Sequence, residues 1–432
     1  MLLSLNPSAN PYTMESTTSW NLSLKIFFRF FFIYLILYTF PFPITVFEFA
    51  YPEALTTQMW NEPVVWLGKN LFGLEIDTLP NGSGDTTWNY VQVLLFGMIS
   101  VAGTLIWSIF DRRRSDYTTL YFWLTVLVRY YLAGTMISYG MFKIIQTQFP
   151  FPHLARLIEP YGDSSPMGLL WTFMGYSTAY NFFTGMAEAL GGFLLFFRKT
   201  RLLGALICIA VMSNVVMLNF AYDVPVKLFS LHLLFMAIFL MVPDINRLID
   251  FFILNKQPKV LEIAPLWKGT KWFYPYAIVK TLFAGYVVVS LIVAVSGYHK
   301  QLSAASNPEL YGIYDVEKYA INGDTLPALL NDTKRWKRIL VDRNGWGSVE
   351  YMDQAKIYYR FSSDTLNGKV SILSQDSSAV YTFAHKRMRD RFYWQGGNKS
   401  DSIFLLVRRK DPSEFLLVNR GFSWINEYPF NR

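Results

Sequence analysis

Read for the pattern of apolar and polar positions, the chain divides near Gly297. Before that point, long apolar runs are broken by short polar stretches. After it, charge returns and no run is long enough to cross a bilayer. A span needs about 17–25 predominantly apolar residues. Seven runs meet that requirement, near 26–47, 88–110, 119–144, 171–197, 201–221, 225–243 and 275–297. Pro41 and Pro43 predict a kinked or re-entrant outer end for the first. Ser165-Pro166 and Asp223-Val224-Pro225 read as helix starts for the fourth and sixth. FPFPHLARLIEPYG, in the loop from Gln146 to Pro166, reads as a short amphipathic segment at the interface. Trp60, Trp66, Trp88, Trp171 and Trp272 fall at or near span ends, as an aromatic belt places them.

From about Asn307 onward, short β-rich runs such as GIYDVEKYA, KIYYRF and SIFLLVRR alternate with turns such as NGD, DTLNG and QGGNKSD. That spacing predicts eight or nine antiparallel strands in a barrel or sandwich. The opening Tyr311-Gly312-Ile313-Tyr314 followed by Trp336 is faintly similar to a lipocalin. The aromatic ending RGFSWINEYPFNR is expected to dock on the barrel or the bundle.

Composition sharpens this division. Of 432 residues 52% are hydrophobic, 18% aromatic and only 16% charged, against about 25% charged in soluble domains. An ordinary soluble enzyme is not expected. The net charge of +8 does not point to nucleic acid, because the cations sit where a membrane protein needs them. Arg112, Arg113 and Arg114, then Arg198, Lys199 and Arg201, then Arg247, Lys256, Lys259, Lys268 and Lys271 occupy alternate loops. By the positive-inside rule those loops are cytosolic. The opposite loops carry Glu53, Glu62, Glu75, Asp77 and Asp85. The N-terminus, which lacks a basic n-region and a cleavage site, is expected inside, and everything after Gly297 outside. Barrel cations such as Arg335, Lys337, Arg338, Lys386, Arg387, Arg389 and Arg391 read as edge protection, with anionic headgroups as the second reading.

Candidate chemistry lies in ionisable residues within spans, which are costly and therefore suggest function. Counted from the cytosolic ends at 1.5 Å per residue, Arg129 and Glu188 each fall about 15 Å deep, which predicts a pair. Lys143 shares the face of Arg129 but is expected near the outer surface. Ser177, Asn181, Thr184 and Glu188 form one stripe, followed by Gly191 and Gly192, which permit close helix approach. With Asn214 and His232 at mid-depth, Arg129 and Glu188 would complete a polar layer. Its candidate catalytic members are Arg129, Glu188 and His232; its candidate ligand-binding members are Lys143, Asn181 and Asn214. The alternative is that these groups only hold the helices in register. No metal site is expected from the four histidines, which lack ligand spacing on a shared helix. The single Cys208 excludes an intramolecular disulfide, and no nucleotide-binding loop is present.

The stretch from Tyr121 to Ile253 resembles the DoxX-like membrane proteins, a group that also takes in MauE and HTTM-like four-helix cores. The resemblance rests on Arg129 followed by Tyr139-Gly140-Met141-Phe142-Lys143, then Glu188-Ala189-Leu190-Gly191-Gly192-Phe193-Leu194-Leu195, then Arg201 and Gly204-Ala205-Leu206. It implies a quinone-linked redox role, an assembly role or cargo binding. The chain departs from that pattern by extra spans at both ends and by an outer domain, and the lack of paired cysteines speaks against thiol redox chemistry.

The expected architecture is a membrane α-helical bundle plus a C-terminal antiparallel β-barrel or sandwich of lipocalin-like kind. A cytosolic tail (1–25) precedes two additional spans (26–118) and a DoxX-like core (119–253). A cytosolic loop and seventh span (254–297) lead to a periplasmic domain (298–432). The expected function is that of a multi-pass bacterial inner-membrane protein acting as a quinone- or lipid-linked redox component. The alternative is a non-enzymatic assembly protein whose outer domain recruits a protein partner or lipid.

Overall fold

The computed structural model describes residues 19–42, 52–258, 273–304, 308–364, 368–374 and 379–431. The N-terminal tail up to residue 18, Pro43 and the basic stretch 259–272 lie outside the described residues. The chain forms two compact units, residues 1–145 with 179–296, and residues 146–178 with 297–432.

The first unit is helical. Its elements are α1 (Leu22–Thr39), α2 (Pro52–Phe72), α3 (Thr87–Phe110), α4 (Thr118–Ile144), α7 (Thr178–Leu195), α8 (Arg201–Ala221), α9 (Lys227–Met241), α10 (Ile245–Phe252) and most of α11 (Phe273–Ala304). Starts are set by local chemistry. The Asn21 side chain accepts from the Leu24 amide at 2.8 Å, and a capping box joins Thr86 to Asn89. The cap of α9 comes from elsewhere in the chain. Both carboxylate oxygens of Asp85 accept from the backbone of Lys227 and Leu228, at 2.7 and 2.9 Å, where the helix dipole favours an anion. The core is apolar and gathers Leu35, Leu124, Val128, Leu132, Met136, Leu195, Cys208, Met236 and Leu240. Outward faces carry Leu94, Leu105, Ile106, Phe183, Met217 and Phe220 in the open, an inversion expected of helices in lipid.

Among the described residues five helical stretches are long and apolar enough to cross a membrane: Leu22–Thr39, Thr87–Phe110, Thr118–Ile144, Arg201–Ala221 and Lys227–Phe252. The expected fourth span is broken. A helix Pro166–Tyr176 ends at Ser177, whose backbone is extended, and α7 starts afresh at Thr178. The polar stripe of α7 makes it less apolar than its neighbours. The stretch expected as the seventh span lies in the 32-residue α11. Pro52–Phe72, read from sequence as loop, is a helix whose Val64 and Leu67 pack against Val91 of α3.

Among its described residues the second unit contains α5 (Leu154–Leu157), α6 (Pro166–Tyr176), nine strands and α12 (Leu416–Asn419). The strands are β1 (Gly312–Ile321), β2 (Asp324–Thr325), β3 (Trp336–Val341), β4 (Trp346–Tyr351), β5 (Lys356–Asp364), β6 (Lys369–Leu373), β7 (Ala379–Met388), β8 (Arg391–Gly397) and β9 (Ser402–Lys410). All pairings are antiparallel; β1 pairs with β3, each later strand with the next, and β9 with β1. That last pairing closes an eight-stranded barrel, with β2 as a short addition to β1. It decides between barrel and sandwich and leaves the closed sheet no free edge. Eight strands enclose a space that side chains can fill. Tyr314, Tyr319, Trp336, Ile339, Phe383, Trp394 and Leu405 fill it here. Asn322 and Gly323, both at positive φ (53° and 94°), form the tight β1–β2 turn that the NG dipeptide predicts.

The barrel cations are largely engaged. Arg338 meets Asp315 at 2.7 Å, Lys337 meets Glu350 at 2.6 Å, and Arg391 meets Glu317 at 2.8 Å. Arg335 is buried and donates to the carbonyls of Leu326 and Val316. The FPFPHLARLIEPYG segment does not stand alone as an interfacial helix: Leu154 of α5 packs on Ile313 and Leu340, on the outer wall of the barrel.

Candidate functional site

The buried polar chemistry of the helical unit centres on α4 and α7. Small residues bring these helices together. A Cβ placed on Gly140 would lie 2.6 Å from the Gly185 carbonyl oxygen and 2.8 Å from the Ala189 nitrogen. One placed on Gly192 would lie 2.7 Å from the Ala133 carbonyl oxygen. On the other side of α7, Gly191 faces Cys208 of α8, and Gly204 of α8 faces the Gly191 carbonyl. The helix α7 is therefore held backbone against backbone by small residues on both neighbours.

At this crossing the Lys143 ammonium donates to Glu188 Oε1, forming an ion pair whose side chains are 8% and 3% exposed. The other carboxylate oxygen, Glu188 Oε2, is buried and has no hydrogen-bond partner among the described residues. Asn181, two turns earlier on the stripe, is fully buried as well. A buried carboxylate with one engaged and one open oxygen can accept a further hydrogen bond from a hydroxyl or N–H group. An adjacent ammonium with three donors can also engage a carbonyl or anionic oxygen.

This arrangement corrects the expected pairing. Glu188 meets Lys143 and not Arg129, and Lys143, in the last turn of α4, is buried at the crossing. The reason is register. Gly185 lies against Gly140 and Ile144, and Gly192 against Ala133 and Ile137, which puts Glu188 level with residues 137–141. Arg129 is then at least two helical turns away, about 12 Å. It is buried, with its guanidinium 5.2 Å from the Tyr130 ring centre. Counting depth from helix ends fails because α4 has 27 residues and α7 only 18.

The other expected members of the layer go elsewhere. Asn214 is on an exposed face of α8. The asparagine that α8 buries is Asn219, which donates to Ser230 of α9 at 3.0 Å. His232 is half-buried and belongs to an aromatic group with α1. Its ring stacks on Tyr38 with centroids 3.9 Å apart, Nδ1 lies 2.7 Å from the Leu228 carbonyl, and Nε2 lies 2.6 Å from the Tyr34 hydroxyl. A carbonyl only accepts, so Nδ1 carries the proton, and in the neutral ring Nε2 accepts from Tyr34. Among the described residues no three His, Cys, Asp or Glu converge on a metal position.

Two buried charged clusters escaped the sequence reading. Arg29 of α1, 2% exposed, donates to the Tyr117 hydroxyl at 2.6 Å, to Ser108 Oγ at 2.6 Å and to the Asp111 carbonyl at 3.1 Å. The Tyr117 hydroxyl in turn donates to the Asp111 carboxylate at 2.8 Å, which holds that carboxyl below its ordinary range. Asp244 is 1% exposed and binds Arg201 and Arg247 through different oxygens. The sequence signals were an arginine inside FFRFFF and an aspartate directly after an apolar run.

Fold and buried charge together define the class: a membrane-spanning helical protein that carries a closed antiparallel β-barrel. No family model and no solved structure matches the chain. The uncharacterized protein YwoB of Bacillus subtilis (strain 168) is 32% identical over 124 residues, which make up 29% of this chain and 79% of that protein. The chain belongs to the family of that protein.

Proposed function

We propose that this chain is a bacterial inner-membrane protein whose Lys143–Glu188 pair binds the polar head of a membrane-dissolved molecule of the quinone class. The carrying observation is the buried, unpartnered Glu188 Oε2 beside a lysine ammonium. The lysine suits a quinone carbonyl, and the open carboxylate oxygen suits the hydroxyl of its reduced form. A DoxX-like core is part of this reading. Its support is that Gly140, Lys143, Glu188, Gly191 and Gly204, five of the motif residues, lie along the contacts of α4, α7 and α8. The N-terminus lies in the cytoplasm and the barrel in the periplasm. That orientation is supported by the basic residues after α3, between α7 and α8, and after α9.

The test is mass spectrometry of small molecules extracted from protein purified in native lipid, for wild type, Glu188→Gln and Lys143→Met. A quinone present in wild type and lost from folded variants supports the reading. Nothing bound in any form overturns it.

The glycine packing favours a second reading. In a crossing this tight, the ion pair fixes register, and the chain acts as a non-enzymatic assembly protein whose barrel recruits a protein or lipid. A stoichiometric protein partner and no extracted cofactor would favour that outcome.

A further inference from the structure

The end of the chain leaves large apolar side chains in the open. Phe422 is 80% exposed, Trp424 91%, Ile425 78% and Tyr428 61%. Four such residues within seven positions are unlike the scattered apolar residues of an ordinary surface. The segment is nevertheless built. The Arg420 guanidinium donates to Asn426 Oδ1 at 2.6 Å and lies 4.5 Å from the Phe430 ring centre, and the Asn426 side chain donates to the Ser423 carbonyl at 3.1 Å. The tail therefore folds around Arg420, and this arrangement holds the four apolar side chains out.

Its attachment identifies what covers it. The Tyr176 hydroxyl donates to the Arg420 carbonyl at 2.8 Å. Tyr176 is the last residue of α6, and two residues along the chain α7 begins. Leu169, Phe173 and Tyr176 of α6 are themselves exposed. The tail is thus pinned to the end of a helix with bare apolar residues of its own, just before the chain enters α7.

We propose that Phe422, Trp424, Ile425 and Tyr428 form an interfacial anchor that inserts into the headgroup–acyl boundary of the bilayer, on the side where the barrel lies. The chemistry fits that depth. Tryptophan and tyrosine present an apolar body with one polar atom, as the boundary requires. Arg420, Asn426 and Glu427 on the same segment exclude the hydrocarbon centre, where each would be costly. The anchor rests on the reading of the helices as membrane spans and is independent of any ligand at Lys143 and Glu188.

The test uses the full chain in nanodiscs of palmitoyl-oleoyl phosphatidylcholine and phosphatidylglycerol. In a Cys208→Ala background, Trp424→Cys or Tyr428→Cys carries a nitroxide, with Ser400→Cys in the exposed β8–β9 turn as reference. Power saturation then compares collision with lipid-soluble oxygen against collision with a water-soluble nickel chelate. The anchor predicts oxygen over nickel at 424 and 428 and the reverse ratio at 400. Nickel dominating at 424 as it does at 400 would place the tail in water and overturn the proposal. Low collision with both probes would mean that protein covers the tail and would overturn it too. Spin–spin broadening between labels would assign the face to a second copy.

Discussion

The Lys143–Glu188 pair makes a prediction that separates it from every other charged contact in the helices. Both side chains are almost wholly out of solvent, so removing one partner leaves the other as an uncompensated buried charge. At an effective dielectric constant of about 20, two unit charges about 4 Å apart attract by roughly 4 kcal/mol. Loss of one partner from a buried pair costs about 3–5 kcal/mol. Lys143→Met keeps the length of the side chain and removes the charge; Glu188→Met does the same from the other side. Each single variant should lose about 3–5 kcal/mol, whereas the double variant replaces the pair by apolar atoms and should be near neutral. The coupling energy, the double variant's cost less the sum of the singles, is therefore about 6–10 kcal/mol in magnitude. Reversible unfolding in bicelles by titration with dodecyl sulfate, followed by tryptophan fluorescence, measures it. The control is Arg129→Met with Glu188→Met, which should add within about 0.5 kcal/mol because the sites are two turns apart. Additivity at Lys143 and Glu188, or strong coupling at Arg129 and Glu188, would refute the register derived from the glycine contacts.

Three further outcomes follow from the same reasoning. Gly140→Ala should cost about 1–3 kcal/mol, because its Cβ meets backbone atoms of α7, whereas Gly97→Ala, with nothing within 4 Å, should be neutral or stabilising by up to about 1 kcal/mol; the same unfolding titration reads both. In the barrel, Asp332 Oδ1 accepts from the amides of Lys334 and Arg335 at 2.7 and 3.0 Å, and these bonds hold its carboxyl below the ordinary range. A depressed folded value stabilises above the unfolded carboxylate value, about 3.9, and that contribution is lost as pH falls through the folded value. Hydrogen exchange at amides 334 and 335, corrected for intrinsic rates, should therefore lose protection on acidification in wild type and be low and flat in Asp332→Ala. Tyr34→Phe removes the donor to His232 Nε2; nitrogen NMR should still find the proton on Nδ1, held by the Leu228 carbonyl, and a shift to Nε2 would contradict the assigned tautomer.

The strands were legible because their signals are local. Asn322-Gly323 names its own turn through two positive φ angles, and alternation along β9, with Ile403, Leu405 and Val407 buried, names its inward face. Closure was not legible. It depends on β1 meeting β9, Ile313 opposite Lys410 and Ile321 opposite Ile403, some eighty to a hundred residues away. No local pattern distinguishes that pairing from two sheets stacked face to face. The break at Ser177 was hidden for a related reason: the helical spacing of Ser177, Asn181 and Glu188 runs straight across it, and only the backbone changes course.

The polar layer shows the same division between composition and register. Asn181, Thr184 and Glu188 do share one helix, since spacing alone sets the angular position of a residue, whereas Ser177, the first member of the expected stripe, sits in the extended break before α7. Which residue of α4 lies opposite Glu188 is a different quantity, a translation between two helices, and helix ends are a poor ruler when the helices differ by nine residues in length. A better ruler was present in the chain. Close backbone approach favours small residues facing one another, and Gly140 meets Gly185 at the observed offset. Sliding α4 along α7 until those glycines meet brings Lys143 to Glu188 and carries Arg129 away. In antiparallel helices packed on small residues, the small residues set the register, and the buried charges can pair only where that register lets them meet.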